Sequence, residues 1–245
     1  MKHKETILFG IHPVLEAVRS GRQIDKVLLK QGFRNEITPG LLPALREQNI
    51  PVQYVPLEKL NRITTKNHQG IIALISEIEY TDIEKLVPML FEQGTVPALV
   101  MLDGVTDVRN LGGIARSAEC AGFQGMIIPS KGSAQINADA IKTSAGALNS
   151  LPVCRVNNLQ ETMKYLRDSG FTAIASTEKA EKSLYDADFS QPVLVILGAE
   201  DTGIDPKLLK QADMLVKIPM RGTIQSLNVS AAAAVVFFEM VRQRK

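Results

Sequence analysis

Apolar and polar residues alternate in blocks along the second part of the chain, from residue 98 to the C-terminus. Short apolar runs, which predict strands, are separated by longer segments with helical periodicity. The predicted strands are Leu99–Leu102, Gly125–Ile128, Pro152–Val156, Thr172–Ala175, Val193–Leu197 and Met214–Ile218, and the predicted helices are Leu111–Ala121, Ala138–Leu148, Leu159–Asp168, Pro206–Ala212 and a C-terminal helix. Near-continuous apolar strands between helices indicate an α/β fold with a mostly parallel sheet and helices on both faces.

Residues 1–76 alternate in the same way on a smaller scale. The predicted helices are His12–Arg19, Leu41–Gln48 and a helical turn at Leu57–Asn61, and the predicted strands are Lys26–Lys30, Val52–Val55 and Ile71–Ile75. Residues 77–97 hold five acidic residues and one lysine around a brief amphipathic helix, Ile83–Phe91. The pattern predicts a small α/β domain at 1–76, an acidic linker at 77–97 and a larger domain at 98–245. An edge helix of a single domain is the alternative for the linker.

Charge is distributed unevenly along the chain. The net charge is +2 over 245 residues, but residues 1–76 carry 11 Lys and Arg against 6 Asp and Glu, a net of +5. The remaining residues carry 17 against 20, a net of −3. A basic N-terminal domain would attract a polyanion such as RNA, although uneven surface charge without a partner is the alternative.

Histidine and cysteine usage disfavours several kinds of chemistry. All three histidines (His3, His12 and His68) lie in the first 76 residues, so the larger domain has no imidazole for Ser-His-Asp hydrolysis or for a His-ligated metal. Cys120 and Cys154 are far apart and outside any CxxC pair, which predicts free thiols and no metal. No apolar run is long enough for a membrane span, and the N-terminal residues lack a signal-peptide core, so a cytoplasmic protein is expected.

In a parallel sheet, ligands bind beyond the carboxyl ends of the strands, so the loops at those ends are expected to carry the function. The loop after Leu99–Leu102 contains Asn110, which is predicted to cap a helix that ends at Gly122. Arg116 projects from that helix away from its buried stripe, on the same side as Arg109. Arg116 is either a solvated surface arginine or a guanidinium that grips a phosphate in bidentate fashion.

The loop after Val193–Leu197 reads GAEDTGI. Gly198 and Gly203 bracket Glu200, so the backbone can approach a ligand closely while a carboxylate is presented to it. A generic turn is the alternative. The loop matches neither the GxGxxG dinucleotide fingerprint nor a P-loop, which argues against a nucleotide-dependent oxidoreductase.

The last loop leads into the C-terminal helix. Ser226, Asn228 and Ser230 all lie where this helix must begin, and each could cap it. From residue 229 to 241 only Ser230 and Glu239 are polar. A helix that is apolar nearly all round is predicted to be deeply buried or to lie in a subunit interface.

Together these loops resemble the three motifs of the SpoU (TrmH) family, RNA ribose 2′-O-methyltransferases of the SPOUT class that use S-adenosylmethionine. The first motif holds Asn110 and Arg116, the second is GAEDTG from Gly198, and the third is IPMRGTIQSLNVS at 218–230. The match extends through residues 98–245. The N-terminal segments FGIHPVLEAV and NHQGIIA resemble the ribosomal-protein-L30e-like substrate-binding domain of bacterial 23S rRNA guanosine 2′-O-methyltransferases of the RlmB type.

The resemblance implies a C-terminal trefoil knot, a rare exception to the rule against threaded chains, and a homodimer formed through the C-terminal domain. It also implies a site for S-adenosylmethionine at the knot, with cofactor-binding residues Thr177, Gly198, Ile218, Ser226 and Leu227. The implied substrate is a guanosine of 23S rRNA. A tRNA 2′-O-methyltransferase and a non-enzymatic RNA-binding protein are the alternatives.

The family points to the arginine at position 116 as a base or an organiser of the base. Because a guanidinium is effectively always protonated, we interpret Arg116 as a clamp on a phosphate that also stabilises charge on the 2′-oxygen. Asn110, Glu200, Ser226 and Asn228 are expected to orient the ribose and the cofactor. No metal is expected in this chemistry.

Overall fold

The computed structural model describes residues 7–33, 40–48 and 50–245. The chain divides into two units, the first ending at Glu79 and the second running from Tyr80 to Lys245. His3 lies outside the described residues. Within the described ranges, every helix is too short or too polar to cross a lipid bilayer.

The first unit is built on a four-stranded mixed sheet. Its elements are β1 (Ile7–Phe9), α1 (Ile11–Arg19), β2 (Ile24–Lys30), α2 (Leu41–Glu47), β3 (Val52–Val55), α3 (Leu57–Ile63) and β4 (Ile71–Ile75). The strand order is β1-β4-β2-β3, with only β2 and β3 parallel. Side chains alternate between the two faces of a strand, so Leu29 packs with α1 and α2 while Leu28 packs with Leu60 of α3.

The second unit contains a six-stranded parallel sheet. The strands are β5 (Ala98–Asp103), β6 (Gly125–Pro129), β7 (Val153–Val156), β8 (Thr172–Ser176), β9 (Val193–Gly198) and β10 (Met214–Val216). Their order in the sheet is β10-β8-β9-β5-β6-β7, and all adjacent strands are parallel. The predicted α/β class with a parallel sheet is confirmed.

Two layers of helices cover this sheet. The helices are α4 (Ile83–Glu92), α5 (Val108–Cys120), α6 (Ala138–Thr143), α7 (Leu159–Asp168), α8 (Pro206–Gln211) and α9 (Val229–Gln243). Side chains of α4, α7 and α8 form one core with alternate residues of the strands, such as Leu99 and Met101 of β5. Helix α5 contacts both α6 and α9, and the rings of Phe123 and Phe237 lie 4.2 Å apart between centroids in this second layer.

Residues 77–97 do not form the acidic linker that was predicted for them. Helix α4 buries Leu86, Val87 and Leu90 in the core of the second unit, where they are at most 3% exposed. These three positions form one apolar stripe. The two acidic residues within the helix lie on its other face, and the other three acidic residues of 77–97 precede the helix. The linker prediction gave too much weight to the acidic residues.

Several predicted boundaries are also wrong, among them the end of one helix and the end of one strand. The helix predicted at residues 138–148 stops at Thr143, because Ala145 and Gly146 adopt positive φ angles of 50° and 88° and turn the chain away. A separate 3₁₀ turn follows at Ala147–Asn149. The last strand ends at Val216, so Ile218 lies in a loop.

Candidate active site

The N-terminus of α5 is capped by Asp107 and not by Asn110, as was predicted. The carboxylate Oδ1 of Asp107 accepts hydrogen bonds from the backbone N–H of Arg109 at 2.6 Å and of Asn110 at 3.2 Å. The helix therefore begins at Val108, one turn earlier than a cap at Asn110 would allow. As a consequence, the side chain of Asn110 is free to bond to another element.

Asn110, Glu200 and Asn228 come together from three separate loops. The Asn110 amide donates to Oε1 of Glu200 at 3.0 Å, and the Asn228 amide donates to Oδ1 of Asn110 at 2.9 Å. The same Asn228 amide also donates to Oε1 of Glu200. The backbone N–H of Val229 donates to that oxygen at 3.3 Å. Oε1 of Glu200 thus accepts three hydrogen bonds, which fix the carboxylate between α5 and α9.

Of the three residues considered for the cap of the C-terminal helix, Asn228 is the one that caps it. Its Oδ1 accepts from the backbone N–H of Ser230 at 3.0 Å and of Ala231 at 3.4 Å. Ser230 was not predicted as a site residue, yet its hydroxyl donates to the same Oδ1 at 2.6 Å. A serine two positions after an asparagine cap was the sequence signal for this contact. Because Oδ1 is bonded to the helix, the Asn228 amide must face Glu200.

A cavity of about 290 Å³ lies next to this network, at the carboxyl ends of β8, β9 and β10. Three loops line it, and the lining includes all five predicted cofactor-binding residues: Thr177, Gly198, Ile218, Ser226 and Leu227. Glu200 and Asn228 also reach the cavity. Further lining residues that the sequence did not single out are Glu178, Met220, Gln225 and Ala232.

Gly198 allows two backbone segments of the cavity wall to lie very close together. A Cβ atom added at this position would lie 2.3 Å from the backbone carbonyl carbon of Gly203, closer than any side chain can approach. The turn between them is closed by a hydrogen bond from the N–H of Gly203 to the carbonyl of Ala199 at 2.9 Å. Only glycine at 198 allows this close approach, which shapes the wall on the β9 side.

Arg116 lies outside the network of Asn110, Glu200 and Asn228. Its side chain is exposed on α5, and its guanidinium makes no hydrogen bond or ion pair with any residue that the structure describes. Six helical positions separate it from Asn110, which places the two side chains about 120° apart around the helix axis. Among the described residues, no group of three or more His, Cys, Asp and Glu side chains could hold a metal ion.

Comparison with known proteins decides the family. The profile of the SpoU rRNA methylase family matches residues 97–238, and that of the RNA 2′-O ribose methyltransferase substrate-binding family matches residues 7–81. The chain belongs to the SpoU rRNA methylase family. This confirms the resemblance found in the three loops and makes the protein a member of a family of RNA methyltransferases.

Relatives of this SpoU chain match it along its length. A Staphylococcus aureus protein, named as a TrmH family tRNA/rRNA methyltransferase, is 35% identical over 98% of this chain and 97% of its own. An uncharacterized tRNA/rRNA methyltransferase of Synechocystis is 35% identical over 97% of this chain, which spans 62% of the Synechocystis protein.

Solved structures agree with the SpoU assignment. The SpoU methyltransferase AviRb of Streptomyces viridochromogenes superposes with a TM-score of 0.61 at 26% identity, over 97% of this chain and 89% of AviRb. The complex of AviRb with the cofactor AdoMet gives a TM-score of 0.60 at 25% identity, over 97% and 90%. An AdoMet-bound rRNA methyltransferase of Sinorhizobium meliloti shares the fold, with a TM-score of 0.62 at 23% identity over 97% of this chain and 87% of that one.

Proposed function

We propose that this protein transfers a methyl group from S-adenosylmethionine to a ribose 2′-hydroxyl of RNA. The observation that carries the proposal is the juxtaposition of a cavity at the ends of β8, β9 and β10 with the bonded cluster of Asn110, Glu200 and Asn228. The cavity is a site for a small molecule, and the cluster presents fixed polar groups at its edge. Because the SpoU family consists of RNA methyltransferases, the reaction proposed for this arrangement is methyl transfer.

The lining of the cavity fits the proposed cofactor in its chemistry. The cavity volume of about 290 Å³ is close to that of the smallest ligand sites, about 300 Å³. Leu197, Ile218 and Leu227 offer apolar contacts suited to a purine, and the backbone on either side of Gly198 offers hydrogen-bonding groups. When bound, S-adenosylmethionine supplies an electrophilic methyl group on its sulfonium. The AdoMet complex of AviRb, which has the same fold, supports the assignment.

The polar cluster would hold the ribose in position. Glu200 is already fixed by three donors, and Asn110 and Asn228 are fixed by each other, so none of them must reorganise to bind a hydroxyl. Ser226 would contribute a hydroxyl from the cavity wall. Arg116 would bind the adjacent phosphate and stabilise negative charge on the 2′-oxygen, and its permanent charge keeps it from accepting the proton.

The path of the chain after β10 supports the expected trefoil knot. The N–H of Lys217 donates to the carbonyl of Lys182 at 2.9 Å, and the N–H of Leu184 donates to the carbonyl of Lys217 at 2.8 Å. Just before it, the carbonyl of Val216 accepts from the N–H of Thr177 at 2.9 Å. The connection between β8 and β9 therefore bonds to this segment at its first residue, Thr177, and again at Lys182 and Leu184. The chain then continues to α9, which packs on α5.

The outer face of α9 supports the expected homodimer. Ala231, Val235 and Phe238 follow one another at helical spacing, and Phe238 is 51% exposed. A second copy of the chain packed against this face would remove the apolar stripe from water. The C-terminal domain would then provide the subunit interface.

The proposed substrate is a guanosine of 23S rRNA, docked by an L30e-like N-terminal unit. The net charge of +5 in residues 1–76 and the match to a substrate-binding profile support an RNA-docking role. A tRNA is the second candidate, because the names of the relatives cover both tRNA and rRNA. With RNA as substrate and Cys120 and Cys154 free, the activity is proposed to be cytoplasmic.

Mapping 2′-O-methyl groups in cells tests the substrate. Ribosomal and transfer RNA would be compared between cells with and without this protein, and the proposal expects one guanosine methyl group to disappear from 23S rRNA. A methyl group lost from a tRNA would identify the second candidate as the substrate. An unchanged pattern in both RNAs would contradict the proposed function.

A further inference from the structure

The seven arginines of the second unit fall into two groups. Four are held by partners within the unit, namely Arg155 over the ring of Tyr80, Arg167 on Asp213, Arg242 on Glu239, and Arg244 on backbone carbonyls. The other three are Arg109, Arg116 and Arg221, whose side chains are exposed and whose guanidinium groups make no hydrogen bond or ion pair anywhere in the described ranges.

The three unbonded arginines lie around the candidate site. Arg109 directly precedes Asn110 of the polar cluster, and Arg221 directly follows Met220, which lines the cavity. Arg116 is seven residues beyond Arg109, so both lie on the same face of α5. The arginines held by partners are those away from this site.

Helix α9 passes close to α5 between the two α5 arginines. A Cβ atom added at Gly113 would lie 3.1 Å from Cβ of Ser230, at the start of α9 where Asn228 caps it. Arg109 and Arg116 therefore lie on either side of this contact along α5. They are about 10 Å apart along the helix axis, so they can bind separate phosphates.

Arginines without internal partners around the site are suited to bind a nucleic-acid strand. Each nucleotide carries one negative charge, and a guanidinium with no internal partner can bind a phosphate through two parallel hydrogen bonds. The acidic neighbour of Arg109, Asp107, is occupied in capping α5 and forms no ion pair with the Arg109 guanidinium. An arginine held by an internal carboxylate would have to break that contact first.

We propose that Arg109 and Arg221 bind phosphates of the RNA strand that carries the target ribose, next to the phosphate bound by Arg116. The inference rests on the proposed function, since it assumes that the target strand crosses the cavity rim. It adds two strand-positioning residues, one on α5 and one on the loop between β10 and α9.

The test measures RNA affinity against salt concentration with the full chain. The probe is a short fluorescein-labelled RNA of mixed sequence, and its anisotropy is followed for wild type, Arg109→Gln, Arg116→Gln and Arg221→Gln. Each substitution should make the negative slope of log affinity against log salt shallower by about 0.7, the value for one phosphate contact on a single strand, and should raise Kd about five- to tenfold at physiological salt. Lys164→Gln on α7 and Lys210→Gln on α8 remove exposed charges from the other helical layer and should leave the slope unchanged.

A charge-conserving variant and a measurement of cofactor binding distinguish failure of this proposal from failure of the proposed reaction. Arg109→Lys should keep the wild-type slope, since it retains the charge, and calorimetric binding of S-adenosylmethionine to Arg109→Gln should match wild type. Wild-type slopes for both Arg109→Gln and Arg221→Gln would overturn the proposal while leaving the proposed reaction intact. Reduced slopes in a protein that binds no S-adenosylmethionine would support the phosphate contacts and contradict the reaction.

Discussion

The two ends of helix α9 use polar side chains in opposite ways. At its N-terminus, Asn228 and Glu200 are fixed by hydrogen bonds, yet both reach an open cavity. At its C-terminus, the guanidinium of Arg244 donates to the carbonyls of Val96 and Gln191 at 2.7 Å and of Phe189 at 2.8 Å. The polar groups at the C-terminus of α9 stabilise the fold, whereas those at its N-terminus are positioned to bind a ligand.

The C-terminal end satisfies its polar groups almost entirely within the protein. Gln243 reinforces Arg244 there, accepting from the N–H of Phe189 and donating to the carbonyl of Ala187, both at 2.9 Å. These contacts join the end of the chain to segments more than 50 residues away. We therefore expect substitutions at the two ends to separate activity from stability.

The largest effect is expected for Glu200→Ala. Loss of the shared acceptor frees Asn110 and Asn228 to rotate, and misplacement of groups that position the substrate lowers kcat/KM about 10²-fold. The melting temperature should change little, because the site is open to solvent. Asp201→Asn is the matched control, since Asp201 is exposed and does not line the cavity. Equal loss of activity in both variants would contradict the role of Glu200.

Arg244→Ala is expected to lower stability and to leave activity unchanged. Removing this guanidinium leaves backbone carbonyls near residues 96 and 189–191 without their donor, and we expect the free energy of unfolding to fall by about 2–3 kcal/mol. Denaturant titration measures the change, with Lys245→Ala as the exposed control. Below the transition, kcat/KM should stay at the wild-type value. A variant as stable as wild type would show that the contacts are not needed to hold α9.

Substitutions of Asn228 test stability and activity at a single position. Asn228→Ala removes the cap of α9, which costs about 1 kcal/mol of stability, and also removes the amide that bonds to Glu200. Asn228→Ser restores a cap without restoring that amide. Stability should therefore recover in the serine variant while methylation stays low. Recovery of both would show that the site needs only the helix cap.

The smallest effect concerns the two thiols. Burial, reinforced by the carboxylate of Asp82, raises the pKa of Cys154 to about 12, whereas Cys120 is exposed at the end of α5. Because the thiolate is the reactive form, iodoacetamide should label Cys120 alone in the native protein, with no loss of methylation. Mass spectrometry of tryptic peptides measures this. Equal labelling of both cysteines would mean that the β7 side of the core opens readily.

Local pattern was enough to predict most of the strands, and the resemblance to the SpoU family supplied the five cofactor-binding residues that line the cavity. Apolar runs such as Val193–Leu197 identify buried parallel strands, and their carboxyl ends place Gly198 and Ile218 near one another. The α5 cap was missed because Asp107 and Asn110 are both good caps, and only the structure shows which one bonds to the helix.

Contacts between distant segments could not be predicted from the sequence. The partners of Arg244 are carbonyls, which every residue has, so no residue type indicated them. Helix α4 was assigned to a linker because its acids are visible in the sequence, while the burial of Leu86 depends on the sheet it packs against. Arg116 was identified by its motif, but only the fold shows that its guanidinium has no partner among the described residues.

Methylation of RNA by the purified protein tests the central claim most directly. Wild type and Glu200→Ala would be incubated with S-adenosylmethionine carrying a tritiated methyl group and with total RNA from cells that lack this protein, and the modified nucleosides identified by mass spectrometry. We expect wild type to produce one 2′-O-methylated nucleoside and Glu200→Ala to produce about 10²-fold less in the same time. Absence of label from the ribose with wild type, or equal labelling by both proteins, would contradict the account.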